Sequence, residues 1–242
     1  MADDSPVTRA RALWQELAAR PVAFGTRGDI GVVVSPGSRI GPPGWVGIVV
    51  LGGAALVTAP TEEAAALIRT AVAGRRADEP AGPAAITDLF PAGRVLGPAA
   101  LAYASPAAFR PVEPAGWPDV RELPPGHPDL AALERDAGTA DADEAGLDEI
   151  TSPAFVVRGA DGRVVAAAGY RRWPADTAHL AVLTAPDRRG EGLARAAASA
   201  AVRHALARDL LPQWRARVPA SRRVAAGLGF TELGVQLSVE PT

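Results

Sequence analysis

Leu183-Thr184-Ala185-Pro186-Asp187-Arg188-Arg189-Gly190-Glu191-Gly192-Leu193-Ala194 joins a strand-like apolar run, Ala178–Thr184, to an alanine-rich helix that runs to about Arg208. Gly190 and Gly192 permit backbone angles closed to other residues and let main-chain N–H groups approach a ligand. The helix behind them presents its unpaired N–H groups and positive dipole end at the same point. Arg188 and Arg189 add forked cationic donors. Together these features describe a site for a pyrophosphate. No Gly-Lys-Ser/Thr follows, so this is not a Walker loop. The third glycine of a dinucleotide fingerprint is missing too, and the loop comes late in an antiparallel-looking series. Taken alone, the same residues also fit a glycine-rich turn with exposed arginines.

Upstream of the loop, Asp129–Ala137 and Asp141–Glu149 read as acidic helices. Phe155–Arg158 and Val164–Tyr170 flank Ala160-Asp161-Gly162, and Asp-Gly is a strong hairpin signal. Downstream, Gln213–Val218 reads as a short strand and Pro219–Leu228 as a helix closed by Gly229. Thr231–Glu240 is extended. Residues 111–128 hold six prolines, which neither continue a helix nor suit a central strand, so a domain boundary is expected near residue 120. Before it, Ser5-Pro6 caps a helix to about Ala19; Gly31–Ser35, Trp45–Leu51 and Ala54–Thr58 read as strands; Thr61 opens a helix to about Ala73. Residues 1–120 are therefore expected to form an α+β domain, and nothing in them aligns a nucleophile, a base and an orienting group.

Composition narrows the classes. The 242 residues carry a net charge of −2 and no cysteine, which excludes a disulfide scaffold, a zinc-finger cluster and a cysteine nucleophile. All 25 basic residues are arginine, so lysine Schiff-base chemistry is excluded. Near-neutral charge argues against nucleic-acid binding. The acidic N-terminus is unlike a signal peptide, and no long uncharged apolar run predicts a membrane span. A cytoplasmic protein, monomeric or homodimeric and without a metal, is expected.

A strand, Pro-x-x-Arg-Gly-x-Gly, an alanine-rich helix, a short strand and then Ser221-Arg222-Arg223-Val224-Ala225-Ala226-Gly227-Leu228-Gly229-Phe230 resemble the GNAT N-acetyltransferase superfamily over about residues 140–242. The segment Ala178–Glu240, with His179-Leu180 and Leu211-Pro212-Gln213-Trp214, is also similar to actinobacterial members of unassigned substrate. The resemblance implies an α+β fold in 121–242, with a mixed, mostly antiparallel splayed sheet, and acetyl-CoA as co-substrate. Residues 1–120 are then either a degenerate half of the same fold or a separate α+β domain. For the cofactor the resemblance implies the strand end Val182, Leu183 and Thr184, the loop Arg189, Gly190, Gly192, Leu193 and Ala194, and Ser221 and Arg222 near the thiol. Asp187 stands where the family has Gln or Arg, Val218 where many members have asparagine, and Ala225 where many have tyrosine. That tyrosine is the usual candidate for protonating the leaving thiolate, so the resemblance assigns no general acid here.

The implied reaction is acetyl transfer to a primary amine of a small acceptor by direct attack; the alternative is an acyl-CoA sensor or scaffold with weak turnover. His179 and Glu149 are the candidate bases, although strict alternation puts His179 on the opposite strand face from Thr184. His127 and His204 read as structural. Residues 129–149 carry eight acids against one arginine, whereas Pro186 to the end carries nine arginines and five acids. A cationic acceptor recruited by Glu144 and Asp148, with Tyr170 and Trp173 lining its pocket, is expected.

Overall fold

The computed structural model describes residues 5–79, 84, 86–90, 93–112 and 119–241. By contact the chain divides into Met1–Ala102 with Glu232–Thr242, and Tyr103–Thr231. This differs from a boundary near residue 120. Residues 119–128 of the proline-rich stretch belong to the second unit, and the last strand, from Glu232, belongs to the first.

In the first unit, α1 (Pro6–Leu17) starts where the Ser5 hydroxyl accepts the Thr8 N–H at 3.3 Å, with Pro6 in its first turn. Its buried residues Ala10, Leu13, Trp14 and Leu17 follow the helical repeat and form its core-facing stripe. The sheet runs β1 (Ile30–Val34), β3 (Ala54–Ala59), β2 (Val46–Leu51), β10 (Thr231–Val239), β4 (Val95–Tyr103). β1 is parallel to β3, whereas β3–β2 and β2–β10 are antiparallel. Helix α2 (Glu62–Val72) packs Ala64, Ala65, Ile68 and Val72 onto Val46, Ile48, Val57, Leu237 and Val239. Sequence patterning misses β4, which Gly97 and Pro98 interrupt.

The turn from β3 into α2 is this unit's counterpart of the strand-to-helix loop at 184–193, and it is built differently. The Thr61 hydroxyl accepts the Ala64 N–H at 3.2 Å, and Glu62 and Glu63 occupy the first turn. The anion-attracting helix end is thus capped and opposed by two carboxylates. Calorimetric titration is therefore expected to give one acetyl-CoA per chain; two would contradict this.

The second unit orders its strands β9 (Leu211–Ala216), β8 (Thr177–Thr184), β7 (Val164–Trp173), β6 (Ala154–Arg158), β5 (Val120–Leu123). β5 through β8 pair antiparallel and β8–β9 pair parallel, the mixed, mostly antiparallel sheet expected. β5 lies within the proline-rich stretch and was not expected as a strand. Helix α3 (Pro128–Ala137) is capped by His127 Nδ1, which accepts the Asp129 N–H at 3.1 Å, a structural role as expected. The helix expected over 141–149 is α4 (Thr139–Ala145), ended by Gly146 at φ 61°, followed by a 3-10 turn Leu147–Glu149. Helix α5 (Leu193–Leu206) lays Ala196, Ala197, Ala198 and Ala201 on the opposite sheet face; small side chains let it sit close. Helix α6 is Pro219–Gly227. Among the described residues no helix is long and apolar enough to cross a membrane.

Candidate active site

The parallel β8–β9 ladder is brief. Thr177 pairs with Leu211, Ala178 with Pro212 and His179 with Gln213, and there it stops. β8 continues to Thr184 and β9 to Ala216, so the two strands part beyond His179 and Gln213. On its other side β8 stays paired with β7 as far as Thr184↔Ala166. The backbone of Leu180–Thr184 therefore has one edge in the sheet and one on the gap, which is an opening for an extended ligand with amide groups.

The glycine loop stands at the end of β8. Gly190 and Gly192 lie at φ 86° and 81°, in the left-handed region that favours glycine. Gly192 is the N-cap of α5 and supplies no side-chain cap, and no acid lies in the first turn. Among the described residues no backbone acceptor takes the N–H groups of Gly192, Leu193 or Ala194. This helix end therefore keeps its donors and its positive field. A Cβ placed on Gly190 meets nothing within 4 Å, so the loop opens onto free space. At the strand end, Thr184 Oγ1 is buried without a hydrogen-bond partner among the described residues. A buried hydroxyl without a partner is costly, and a ligand group can satisfy it.

The loop arginines are held in ion pairs. Arg188 bonds Glu191 at 2.7 and 2.8 Å, and Arg189 bonds Asp141 at 2.5 Å. Asp187, out of place beside phosphates, instead lies in the field of Arg163 and Arg188. On α6, Ser221 Oγ accepts the Trp214 indole N–H at 2.9 Å, and Trp214 packs edge-on against Phe230 at 5.5 Å. The Ser221 hydroxyl proton thus remains free to donate. Val218 precedes α6 without capping it, and Ala225 is buried.

Around the parting point, one sheet face carries Arg171, Trp173, His179, Gln213 and Arg215, by alternation and by the β7–β8–β9 register, and Arg217 follows just past the end of β9. Gln213 Nε2 donates to the Tyr103 hydroxyl at 2.9 Å, which turns its Oε1 toward His179 Nδ1, also at 2.9 Å. An amide oxygen only accepts, so Nδ1 carries the imidazole proton and Nε2 keeps a lone pair. Trp173 stacks on the ring at 4.0 Å and 14°. Burial, then the nearby positive charge of Arg215, lowers the His179 pKa to about 3, against the weaker opposing effect of the Gln213 bond. His179 is neutral at physiological pH, and its Nε2 can accept a hydrogen bond.

That shift has a consequence for stability. Between about 3 and the ordinary 6.5 the unfolded chain binds a proton that the folded chain refuses. The contribution of His179 is complete above 6.5 and is lost as pH falls toward 3. Melting temperature is expected to drop more steeply from about pH 7 to pH 4 in the parent than in His179→Gln. Equal slopes would contradict the assignment.

Two acceptor-side expectations need correction. Tyr170 lies on the opposite sheet face from His179, is buried, and hydrogen-bonds His204 of α5 at 2.9 Å, with Phe155 beside that histidine. It is a core tyrosine and lines no acceptor pocket. Nor are most of the carboxylates of 129–149 free to draw in a cation. Glu144 is paired with Arg217 through Nε at 3.1 Å and through a second guanidinium nitrogen, Glu149 with Arg171 at 2.7 Å, and Asp129 with Arg158 at 2.7 Å. Asp148 lies instead near another acid, Glu134, whose pKa is raised by burial and by that neighbour. Counting charges along the sequence misses this, because the partner arginines come from β6, β7, the segment just past β9 and the loop.

A mixed sheet that parts between two parallel strands, with a glycine-led helix at the open end, is a GNAT fold. In agreement, residues 155–234 match the model of the family described as GNAT acetyltransferase. A GCN5-related N-acetyltransferase from Kribbella flavida superposes with a TM-score of 0.53 at 18% identity, over 99% of this chain and 96% of that one. An acetyltransferase from the GNAT family from Colwellia psychrerythraea aligns at 17% identity and TM-score 0.49, over 66% of this chain. The chain spans 61% of the length of that Colwellia protein. A putative GNAT-family acetyltransferase from Novosphingobium aromaticivorans aligns at 24% identity and TM-score 0.44, over 62% of this chain and 67% of that one. At 18% identity the likeness to the Kribbella protein carries the fold alone. No curated protein matches the chain.

Proposed function

We propose that the chain transfers an acetyl group from acetyl-CoA to the primary amine of a small acceptor. The observation that carries this reading is the parting of β8 from β9 beside an uncapped, glycine-led helix end. The residues fit the cofactor. The N–H groups of Gly190, Gly192, Leu193 and Ala194, with Arg189, suit the pyrophosphate. The free edge of Val182, Leu183 and Thr184 suits the pantetheine amides, and the partnerless Thr184 hydroxyl lies at the strand end nearest the loop. Ser221 and Arg222 belong to the thiol side. Acetyl-CoA supplies the activated thioester; the chain supplies position and proton handling.

His179 Nε2, its tautomer held by Gln213, accepts a hydrogen bond from the attacking amine and orients the nitrogen lone pair. A primary alkylamine with a pKa of about 10.4 must shed its proton before attack. Water beside Glu149, whose carboxylate Arg171 holds in place, can carry that proton to solvent. The new N–C bond forms as the thioester C–S bond breaks, and the nitrogen sheds its second proton to the same water as it becomes an amide. With a thiol pKa of about 8.5 the sulfur leaves readily as thiolate, and the Ser221 hydroxyl offers it a hydrogen bond. Trp173 walls the approach.

A second reading, an acyl-CoA sensor without turnover, is favoured by Ala225, which stands where the resembling proteins carry tyrosine. Release of free thiol from acetyl-CoA in the presence of an amine panel separates the two. Amine-dependent release supports the transferase; acetyl-CoA binding without release supports the sensor.

A further inference from the structure

We propose that Arg215 anchors a carboxylate of the acceptor, so that the amine acetylated by this chain is an anionic one of the amino-acid type. The inference rests on the transferase reading of the same site. Arg215 sits two residues beyond Gln213 on β9, on the face shared with His179, about 7 Å along the strand from the point where β8 and β9 part. Three arginines, Arg171, Arg215 and Arg217, meet two carboxylates, Glu149 and Glu144, around this face. The carboxylates are both taken, Glu149 by Arg171 and Glu144 by Arg217. Arg215 has no carboxylate within ion-pair distance among the described residues.

Its surroundings point the same way. Arg215 is exposed on this face, so its guanidinium is open to a ligand from solvent. His179, the group next to it, feels its positive charge. A guanidinium with five N–H donors and no acid to receive them is a ready fork for a planar carboxylate. The spacing along β9 lets a carboxylate on Arg215 leave an amine on a short spacer within reach of His179 Nε2, over the flat wall of Trp173. A dicationic polyamine would meet the same arginines as like charge. The guanidinium of Arg215, left over from these ion pairs, therefore disfavours the cationic acceptors that the acidic sequence of 129–149 suggests.

The test uses the full chain, acetyl-CoA and matched amines: amino acids, their carboxamides and the corresponding decarboxylated amines. Two readouts are taken, thiol release and the thermal shift of the CoA-saturated chain. Carboxylate-bearing members are expected to be preferred in both. Arg215→Gln is expected to raise their KM about tenfold or more, a factor corresponding to 1.4 kcal/mol. The KM for acetyl-CoA, the acetyl-CoA thermal shift and the KM for the carboxamides are expected to stay put, and Arg215→Lys is expected to recover part of the loss. Equal or better use of the carboxamides or decarboxylated amines by the parent would overturn the proposal. So would an unchanged preference in Arg215→Gln, or acetyl-CoA binding with no response to any carboxylate-bearing member. Absence of an acetyl-CoA thermal shift would instead strike the transferase reading itself, and this inference with it.

Discussion

Gly190→Asp is expected to abolish the stabilisation that acetyl-CoA gives the parent chain while leaving the unliganded protein folded. A ligand at about 100 times its dissociation constant adds roughly 2.7 kcal/mol, and the variant should lose all of it. Gly190 sits at φ 86°, where asparagine and aspartate are the least strained replacements for glycine. A Cβ there meets nothing within 4 Å, so the new side chain harms no packing of its own. It does fill the space in front of the α5 N-terminus and sets a carboxylate against a pyrophosphate. Gly192→Asp, at φ 81° in the N-cap itself, should act alike, with a larger effect on folding because the helix start rests on it. Thermal shift with and without acetyl-CoA reads both quantities. An undiminished shift in Gly190→Asp would move the phosphate site elsewhere.

The largest expected effect on stability belongs to Gly229→Ala. Gly229 ends α6 at φ 87°, where the Phe230 N–H returns to the Ala225 carbonyl at 3.1 Å. A Cβ at this position would stand 1.9 Å from the Ala108 carbonyl oxygen, a backbone atom that no rotamer change can move. The same segment is tied by the Arg110 N–H to the Leu228 carbonyl at 2.9 Å. Left-handed strain of about 1–2 kcal/mol adds to an overpacking cost of about 1–3 kcal/mol. The melting temperature should fall on the order of 10 °C. Gly126→Ala is the matched control, at φ 74° with nothing within 4 Å of its Cβ, and it should show the backbone cost alone. Equal losses in the two variants would contradict the close approach to Ala108.

The legible parts of this chain are those where chemistry is local. Helix starts at Ser5-Pro6 and Thr61, the Asp161-Gly162 hairpin, the glycine loop into α5 and the Leu228-Gly229-Phe230 end of α6 each carry a short-range signal, and each element lies within a few residues of its expected place. What escaped was set by partners distant in sequence. β4 and β5 are strands because neighbours pair with them, although glycine and proline weaken their own patterns. The fate of the acidic stretch depended on Arg158, Arg171, Arg189 and Arg217, which no spacing rule connects to it. His179 was legible as a strand residue of the site, and alternation alone gave its face. Its neutrality was not, because that follows from Trp173, Gln213 and Arg215 closing around the ring. Tyr170 looked like a pocket aromatic from its position at a strand end; the partner that makes it core, His204, is 34 residues away.

A crystal structure of the chain with CoA tests the central claim most directly. The account predicts one CoA per chain, its pyrophosphate oxygens on the N–H groups of Gly190, Gly192, Leu193 and Ala194, and its pantetheine arm along Leu180–Thr184 with the sulfur toward His179 and Ser221. CoA bound anywhere else, or bound with the strand edge beyond His179 left unused, would contradict it.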